Sequence, residues 1–266
     1  MTLLQLTVIA VVQGITEFLP ISSSGHLRMI PMLTGWPDQG LTIDIAVHAG
    51  TLLAVLAYLW RDVLSMLAGL VRIRSGMADP GVRLIVHLAA ATIPLAAAGY
   101  ALTEFVGTAW RNSLAVIAWA TFGFGLLLYF SDRIGLTVRR IEHMRLSGAF
   151  AIGLAQILAL IPGASRAGVT VTAARLLGFE RRDAARFSML LSIPSIAAAG
   201  GFAYRELAES GDVALRLNAA LAAGLAFVAA LIAMAAMMRW LRRASFAPFV
   251  IYRLILGGIL LGIVYL

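Results

Sequence analysis

Six stretches of the chain, roughly 43–60, 84–102, 113–130, 187–204, 217–238 and 250–266, are apolar over a length that suits a helix crossing the bilayer. The hydrocarbon core to be crossed is about 30 Å thick. Two further apolar regions, roughly 3–33 and 148–179, follow a different pattern. Each is broken near its middle by proline, glycine and serine: Pro20-Ile21-Ser22-Ser23-Ser24-Gly25 in the first and Pro162-Gly163-Ala164-Ser165-Arg166-Ala167-Gly168 in the second. Irregular backbone at membrane depth is tolerated only where protein buries it or a wet cavity receives it. The pattern therefore predicts an all-α integral membrane protein with six transmembrane helices and two re-entrant hairpins, each made of two half-helices.

Composition and charge agree with a bilayer as solvent. The 266 residues are 61% hydrophobic and 13% charged, whereas a soluble domain is about a quarter charged. There is no cysteine, which removes disulfides and thiolate metal sites. All 21 basic residues are arginine, and the net charge is +8. Nucleic-acid binding would need a basic face on a soluble fold; here the arginines cluster between apolar runs, so no nucleic-acid partner is expected. Segments 61–83, 131–147, 180–186 and 239–249 hold four, four, three and three arginines. Segments 103–112 and 205–216 hold Arg111, Arg205 and Arg216 beside Glu104, Glu206, Glu209 and Asp212. The positive-inside rule makes the first set cytoplasmic and the second external, with both termini outside. The first apolar stretch has neither a basic leader nor a small-residue cleavage site, so it is expected to remain in the protein.

Shifted by 143 positions, the chain matches itself at Gln13 and Gln156, Ser22 and Ser165, Gly25 and Gly168, Leu33 and Leu176, and Gly35 and Gly178, with Trp36 on Phe179. The prolines miss by one position. Most of the matches are polar residues or glycines, which an Ala/Leu-rich chain supplies less often by chance. Three spans separate the hairpins, so the expected organisation is one membrane domain, 1–266, with inverted-topology halves of about 1–133 and 144–266. Such repeats place a binding site at the midplane, where broken helices meet. The Ile93-Pro94 and Ile193-Pro194 pairs do not fit this offset and read as helix kinks.

The chemistry concentrates in the two breaks. Gln13 and Glu17 are four apart and share a helix face. An ionisable residue at membrane depth marks a functional site by default, although Glu17 could instead be a buried structural partner of Arg28 or Arg166. Ser22, Ser23, Ser24, Gly25 and His26 supply hydroxyls, backbone N–H donors and an imidazole, a set suited to cradling an anion where a half-helix begins. The alternative role for the serines is to satisfy carbonyls freed by the turn. Ser165 and Arg166 add a hydroxyl and a planar fork of donors that fits phosphate oxygens. Phosphoanhydride hydrolysis needs a nucleophile, charge neutralisation and a proton donor for the leaving phosphate. Glu17 could hold a divalent cation or act as base, Ser23 or water could attack, and His26 could shuttle the proton. Asp44 and His48 could line the same cavity or serve the fold. His87 reads as a core histidine, while Arg175 and Arg253 read as snorkelling side chains near span ends.

At these two motifs the sequence resembles the bacterial undecaprenyl-diphosphate phosphatase family, also known for bacitracin resistance. Gln13, Glu17, Pro20, Ser22, Ser23, Gly25 and His26 meet its first signature; Pro162, Gly163, Ser165, Arg166 and Gly168 meet its second. The resemblance covers essentially the whole chain. It implies catalytic roles for Glu17, Ser23, His26 and Arg166, phosphate contacts from Ser22, Ser24 and Ser165, and dependence on Mg2+ or Ca2+. It also implies undecaprenyl diphosphate as substrate, recycling of the lipid carrier for cell-wall polymers, and a place in the bacterial inner membrane with the site open to the periplasmic side. Ala167 stands where a second serine is usual, and Gln13 takes the neutral option at its position. A homodimer is compatible with the pattern and not required by it.

Two other classes fit parts of the pattern. Inverted repeats with broken helices also build transporters, so the site could move a lipid or anion without hydrolysis. A membrane scaffold would tolerate loss of the Arg166 charge. Fold alone does not choose between them.

Overall fold

The computed structural model describes residues 1–105, 113–209 and 213–266, with side chains described outside 199–213. Of the charges expected on the outer side, Arg111, Arg205, Glu206, Glu209 and Asp212 lie outside this set. The first apolar region forms α1 (Leu3–Phe18) and α2 (Ser23–Thr34). Thr2 opens α1 with a reciprocal cap to Gln5, satisfying two of the orphan donors at a helix start. Leu19 ends it in extended backbone before Pro20, as the clash with the proline ring demands. Next come α3 (Gly40–Tyr58), α4 (Trp60–Val71), α5 (Pro80–Phe105) and α6 (Leu114–Ile134). The second broken region forms α7 (Leu146–Gln156), a 3-10 turn (Ile157–Leu160) and α8 (Arg166–Leu176). The chain ends with α9 (Arg181–Glu209), α10 (Val213–Trp240) and α11 (Ala247–Tyr265).

Five described helices, α3, α5, α6, α10 and α11, are long and apolar enough to cross a membrane. The protein is thus an all-helical, multi-pass membrane protein. The 61–83 segment, read as a loop, in fact begins with α4, whose arginine and aspartate obscure its amphipathic character. Pro94 and Pro194 lie inside α5 and α9.

α1 and α3 pack on α10, α7 packs on α5, α6 pairs with α11, and α3 meets α9. Glycines let two of these pairs touch backbone to backbone. A Cβ added at Gly14 would lie 2.6 Å from the Ala226 carbonyl oxygen, and one at Gly153 would lie 2.6 Å from that of Ala91. Packing of this kind, rather than a hydrophobic drive, holds helices together where lipid is as apolar as leucine.

Two arginines depart from the sequence expectation. Arg175 and Arg253 do not snorkel; both are fully buried. Arg175 donates to the Asp132 carboxylate (3.2 Å) and to carbonyls of Phe179, Leu136 and Gly135. Asp132 also accepts from Arg181 (2.7 Å) and from the Phe246 amide (3.1 Å), tying the ends of α6 and α8 to the starts of α9 and α11. A buried charge persists only when paired and hydrogen-bonded, which Asp132 and the carbonyls achieve here.

Candidate active site

The two breaks meet. Arg253, from α11, sits between them and donates to five backbone carbonyls. They belong to Pro20 (3.1 Å) in the first break, Gly163 (2.9 Å) and Ala164 (3.0 Å) in the second, and Ala120 (3.3 Å) and Thr121 (3.1 Å) on α6. Chain breaks in a membrane free carbonyls, and one guanidinium with five donors answers three of these and ties them to two carbonyls of α6.

Both breaks end in the same way. Ser22 and Ser165 precede α2 and α8 with φ of 76° and 72°, the two non-glycine residues of positive φ among those described. Each hydroxyl accepts from the amide three residues on, Gly25 at 3.3 Å and Gly168 at 3.0 Å, which makes it an N-cap. The capped N-termini of α2 and α8 therefore open at one place. Helix N-termini carry partial positive charge and unpaired N–H groups, a preformed setting for an anion.

Between the breaks lies a polar cavity of about 250 Å³, lined by Glu17, Ser22, Ser23, Ser24, Ser165 and Arg166, with His48 alongside. Arg166 Nη2 donates to Glu17 Oε1 at 2.5 Å. Of the two structural partners considered for Glu17, the contact is with Arg166. Ser23 donates its hydroxyl to Glu17 Oε2 at 2.7 Å, and Gln13 Nε2 donates to the same oxygen at 2.9 Å. A hydroxyl held by a carboxylate is the arrangement of a nucleophile with its base. Ser24 lies 3.4 Å from Ser22, hydroxyl to hydroxyl. Thr170, one turn into α8, bridges the Arg166 carbonyl and the Ser188 hydroxyl, fixing that helix start against α9.

The two imidazoles are placed differently. His26 donates through Nδ1 to the Ser22 carbonyl (2.6 Å), and its Nε2 accepts from the Tyr252 hydroxyl (2.5 Å), with the two rings stacked. It does not line the cavity. His48 does. Its Nδ1 donates to the Asp44 carbonyl (2.6 Å), and its Nε2 lies 3.8 Å from Glu17 Oε2. The spacing of Asp44 and His48 carried part of this signal. Leu95, Ser195 and Ile196, which follow the two helix prolines, also line the cavity and were not anticipated.

The donor set bears on a divalent cation. Glu17 Oε2 and His48 Nε2 face each other, and the buried Gln13 Oε1 has no hydrogen-bond partner. Among the described residues no cluster of three or more His, Cys, Asp or Glu could cage a metal. One carboxylate among serine hydroxyls fits a hard, oxygen-seeking cation held jointly with substrate phosphates, the usual manner for Mg2+.

The family model described as bacitracin resistance protein BacA matches residues 6–259, a range containing both breaks and Arg253. The chain belongs to this family. Across its whole length it is 52% identical to undecaprenyl-diphosphatase 1 of Rhodospirillum rubrum, covering 96% of that protein. It is 50% identical to the undecaprenyl-diphosphatase of Roseobacter denitrificans and 51% identical to that of Ruegeria pomeroyi, each covered in full. Within this BacA-family chain, the cavity gathers Glu17, Ser23, Arg166, Ser22, Ser24 and Ser165. Gln13, Gly25 and His26, expected at the same site, lie outside its lining.

Proposed function

We propose that the chain hydrolyses undecaprenyl diphosphate to undecaprenyl phosphate and inorganic phosphate, recycling the lipid carrier of cell-wall polymer synthesis. The observation that carries this reading is the convergence of a hydroxyl, a carboxylate and a guanidinium, Ser23, Glu17 and Arg166, between two capped helix N-termini. Relatives about half identical over the full chain bear the name of this activity. The transporter alternative gains no support from them.

In this mechanism the diphosphate enters against the N-termini of α2 and α8, and Arg166 turns its fork from Glu17 to the phosphate oxygens. Ser22, Ser24 and Ser165 donate to the remaining oxygens. Glu17 takes the proton of Ser23 as its Oγ attacks the terminal phosphorus and the bridging P–O bond breaks. The proton passes from Glu17 to the departing prenyl phosphate, and water then cleaves the phosphoserine with Glu17 again as base. Glu17 is the group that would hold Mg2+ or Ca2+ together with substrate phosphate oxygens, with His48 beside its carboxylate; the cation, when bound, would neutralise phosphate charge. His26, clamped by Ser22 and Tyr252, fixes the turn that aims Ser23.

The topology belongs to the same proposal. α9 serves as the sixth span, α1–α2 and α7–α8 as re-entrant hairpins, and residues 1–133 and 144–266 as inverted halves of one domain. Supporting this are the common offset of Ser22 and Ser165 and the corresponding pairs α1 with α10 and α7 with α5, which pack alike in the two halves. The arginine-rich segments then lie in the cytoplasm, and the cavity opens to the periplasmic side of the inner membrane.

Rapid quenching with substrate labelled in the terminal phosphate tests the covalent step. Label held at Ser23, absent in Ser23→Ala, supports it. Full turnover by Ser23→Ala would transfer the nucleophile to water.

A further inference from the structure

The polar cavity accounts for a diphosphate but not for the long apolar chain attached to it. Two open apolar grooves lie on the helical surface. One, about 700 Å³, runs between α1 and α10 past Ile15, Leu19, Val228 and Ile232. The other, about 460 Å³, runs between α5 and the 3-10 turn after α7. The larger one shares no lining residue with the polar cavity. The smaller one shares Leu160 with it and lies one turn beyond it on α5.

On the turn, Ala159 and Leu160 line the polar cavity, while Ile157, Leu158, Leu160 and Ile161 line the groove, so Leu160 belongs to both. On α5, Leu95 lines the cavity and Ala98, Leu102 and Phe105 line the groove. These four residues are spaced three, four and three apart and form one stripe along one helix face. From Leu95 to Phe105 the stripe runs about 15 Å along the helix axis. The groove has room because Ala98 and Ala101 carry small side chains and Gly99 leaves space beside Leu160, whose Cδ2 would lie 3.8 Å from a Cβ there. Gly153 presses α7 onto Ala91 one turn before the cavity, and the groove opens beyond that contact.

We infer that this α5 groove receives the first isoprenoid units of the substrate, making Ala98, Ala101 and Leu102 determinants of chain recognition. The inference rests on the proposed phosphatase reading for the identity of the ligand. A diphosphate fixed at Arg166 must release its tail through an apolar exit that touches the cavity, and among the described grooves the α5 groove meets that condition. The α1–α10 groove, larger and equally apolar, is left to bulk lipid.

The test compares Ala101→Trp, which fills the α5 groove, with Val228→Trp, which fills the other. Ala101 is half-buried on the groove wall and Val228 is exposed, so neither belongs to the buried core. Hydrolysis of undecaprenyl diphosphate and of a single-isoprenoid diphosphate is measured for each. The expected result is a loss of about tenfold in kcat/KM for the long substrate with Ala101→Trp, with the short one unaffected, as excluding a few methylenes implies. Val228→Trp should leave both unaffected. A chain-selective loss in Val228→Trp, in neither variant, or an equal loss on both substrates in Ala101→Trp would overturn the assignment. A second arm places a photoreactive benzophenone side chain at 101 or 228 and measures capture of labelled undecaprenyl diphosphate. Preferential capture from 101 supports the groove even if the wild type hydrolyses neither substrate, the outcome that would defeat the phosphatase reading instead. Preferential capture from 228 would overturn the groove.

Discussion

Ser22 and Ser165, 143 residues apart, hold the same left-handed backbone conformation and make the same hydrogen bond to an amide three residues on. Each opens a half-helix at the polar cavity. Left-handed backbone is costly for a residue with a Cβ, so both positions must gain something glycine cannot supply. That gain is the hydroxyl, which caps the helix and faces the site.

This separates two substitutions at Ser165. Ser165→Ala keeps the Cβ and loses the cap, and should lower stability by about 1 kcal/mol. Ser165→Gly loses the cap but relieves the backbone, and should stay near wild type. Thermal unfolding in detergent checks both points: the reverse order would mean that the positive φ costs little here, and a Ser165→Ala protein as stable as wild type would mean that the cap contributes little.

Arg253 should be intolerant of lysine. An ammonium offers three donors where five carbonyls wait, and a freed buried carbonyl costs on the order of 1–3 kcal/mol. Arg253→Lys is expected to shift the protein toward aggregates in size-exclusion chromatography and to lose activity in whatever remains monodisperse. A stable, fully active Arg253→Lys protein would show that the breaks hold without this clamp.

The two imidazoles should behave differently. His48→Ala removes a neutral donor beside Glu17 and should raise the Mg2+ or Ca2+ concentration needed for activity about tenfold, with more cation restoring much of the rate. Tyr252→Phe removes one hydrogen bond from His26, worth about 1 kcal/mol, and should leave cation dependence unchanged. A titration of activity against cation checks both. An unaltered cation requirement in His48→Ala would remove His48 from the site.

The breaks were legible in the sequence because proline, glycine and serine interrupt otherwise apolar runs. Glu17, Ser23 and Arg166 stood out as polar groups at membrane depth. Arg253 was not legible, since its partners are backbone carbonyls, which leave no mark in the residue pattern, and its position near a helix end suggested snorkelling. His26 and His48 could not be ranked from spacing alone. His26 is held by Tyr252, which lies 226 residues away, and His48 stands beside Glu17, neither of which spacing along the chain reveals. Helix α4 escaped notice because its charged residues made it resemble the loop around it.

The most direct test of the two-break site is phosphate release from undecaprenyl diphosphate by detergent-purified protein, with and without Mg2+ or Ca2+, beside Glu17→Ala and Arg166→Ala. Cation-dependent release by the wild type, abolished in both variants while each remains folded, is the predicted result. No release from folded wild-type protein, or full release by either variant, would contradict it.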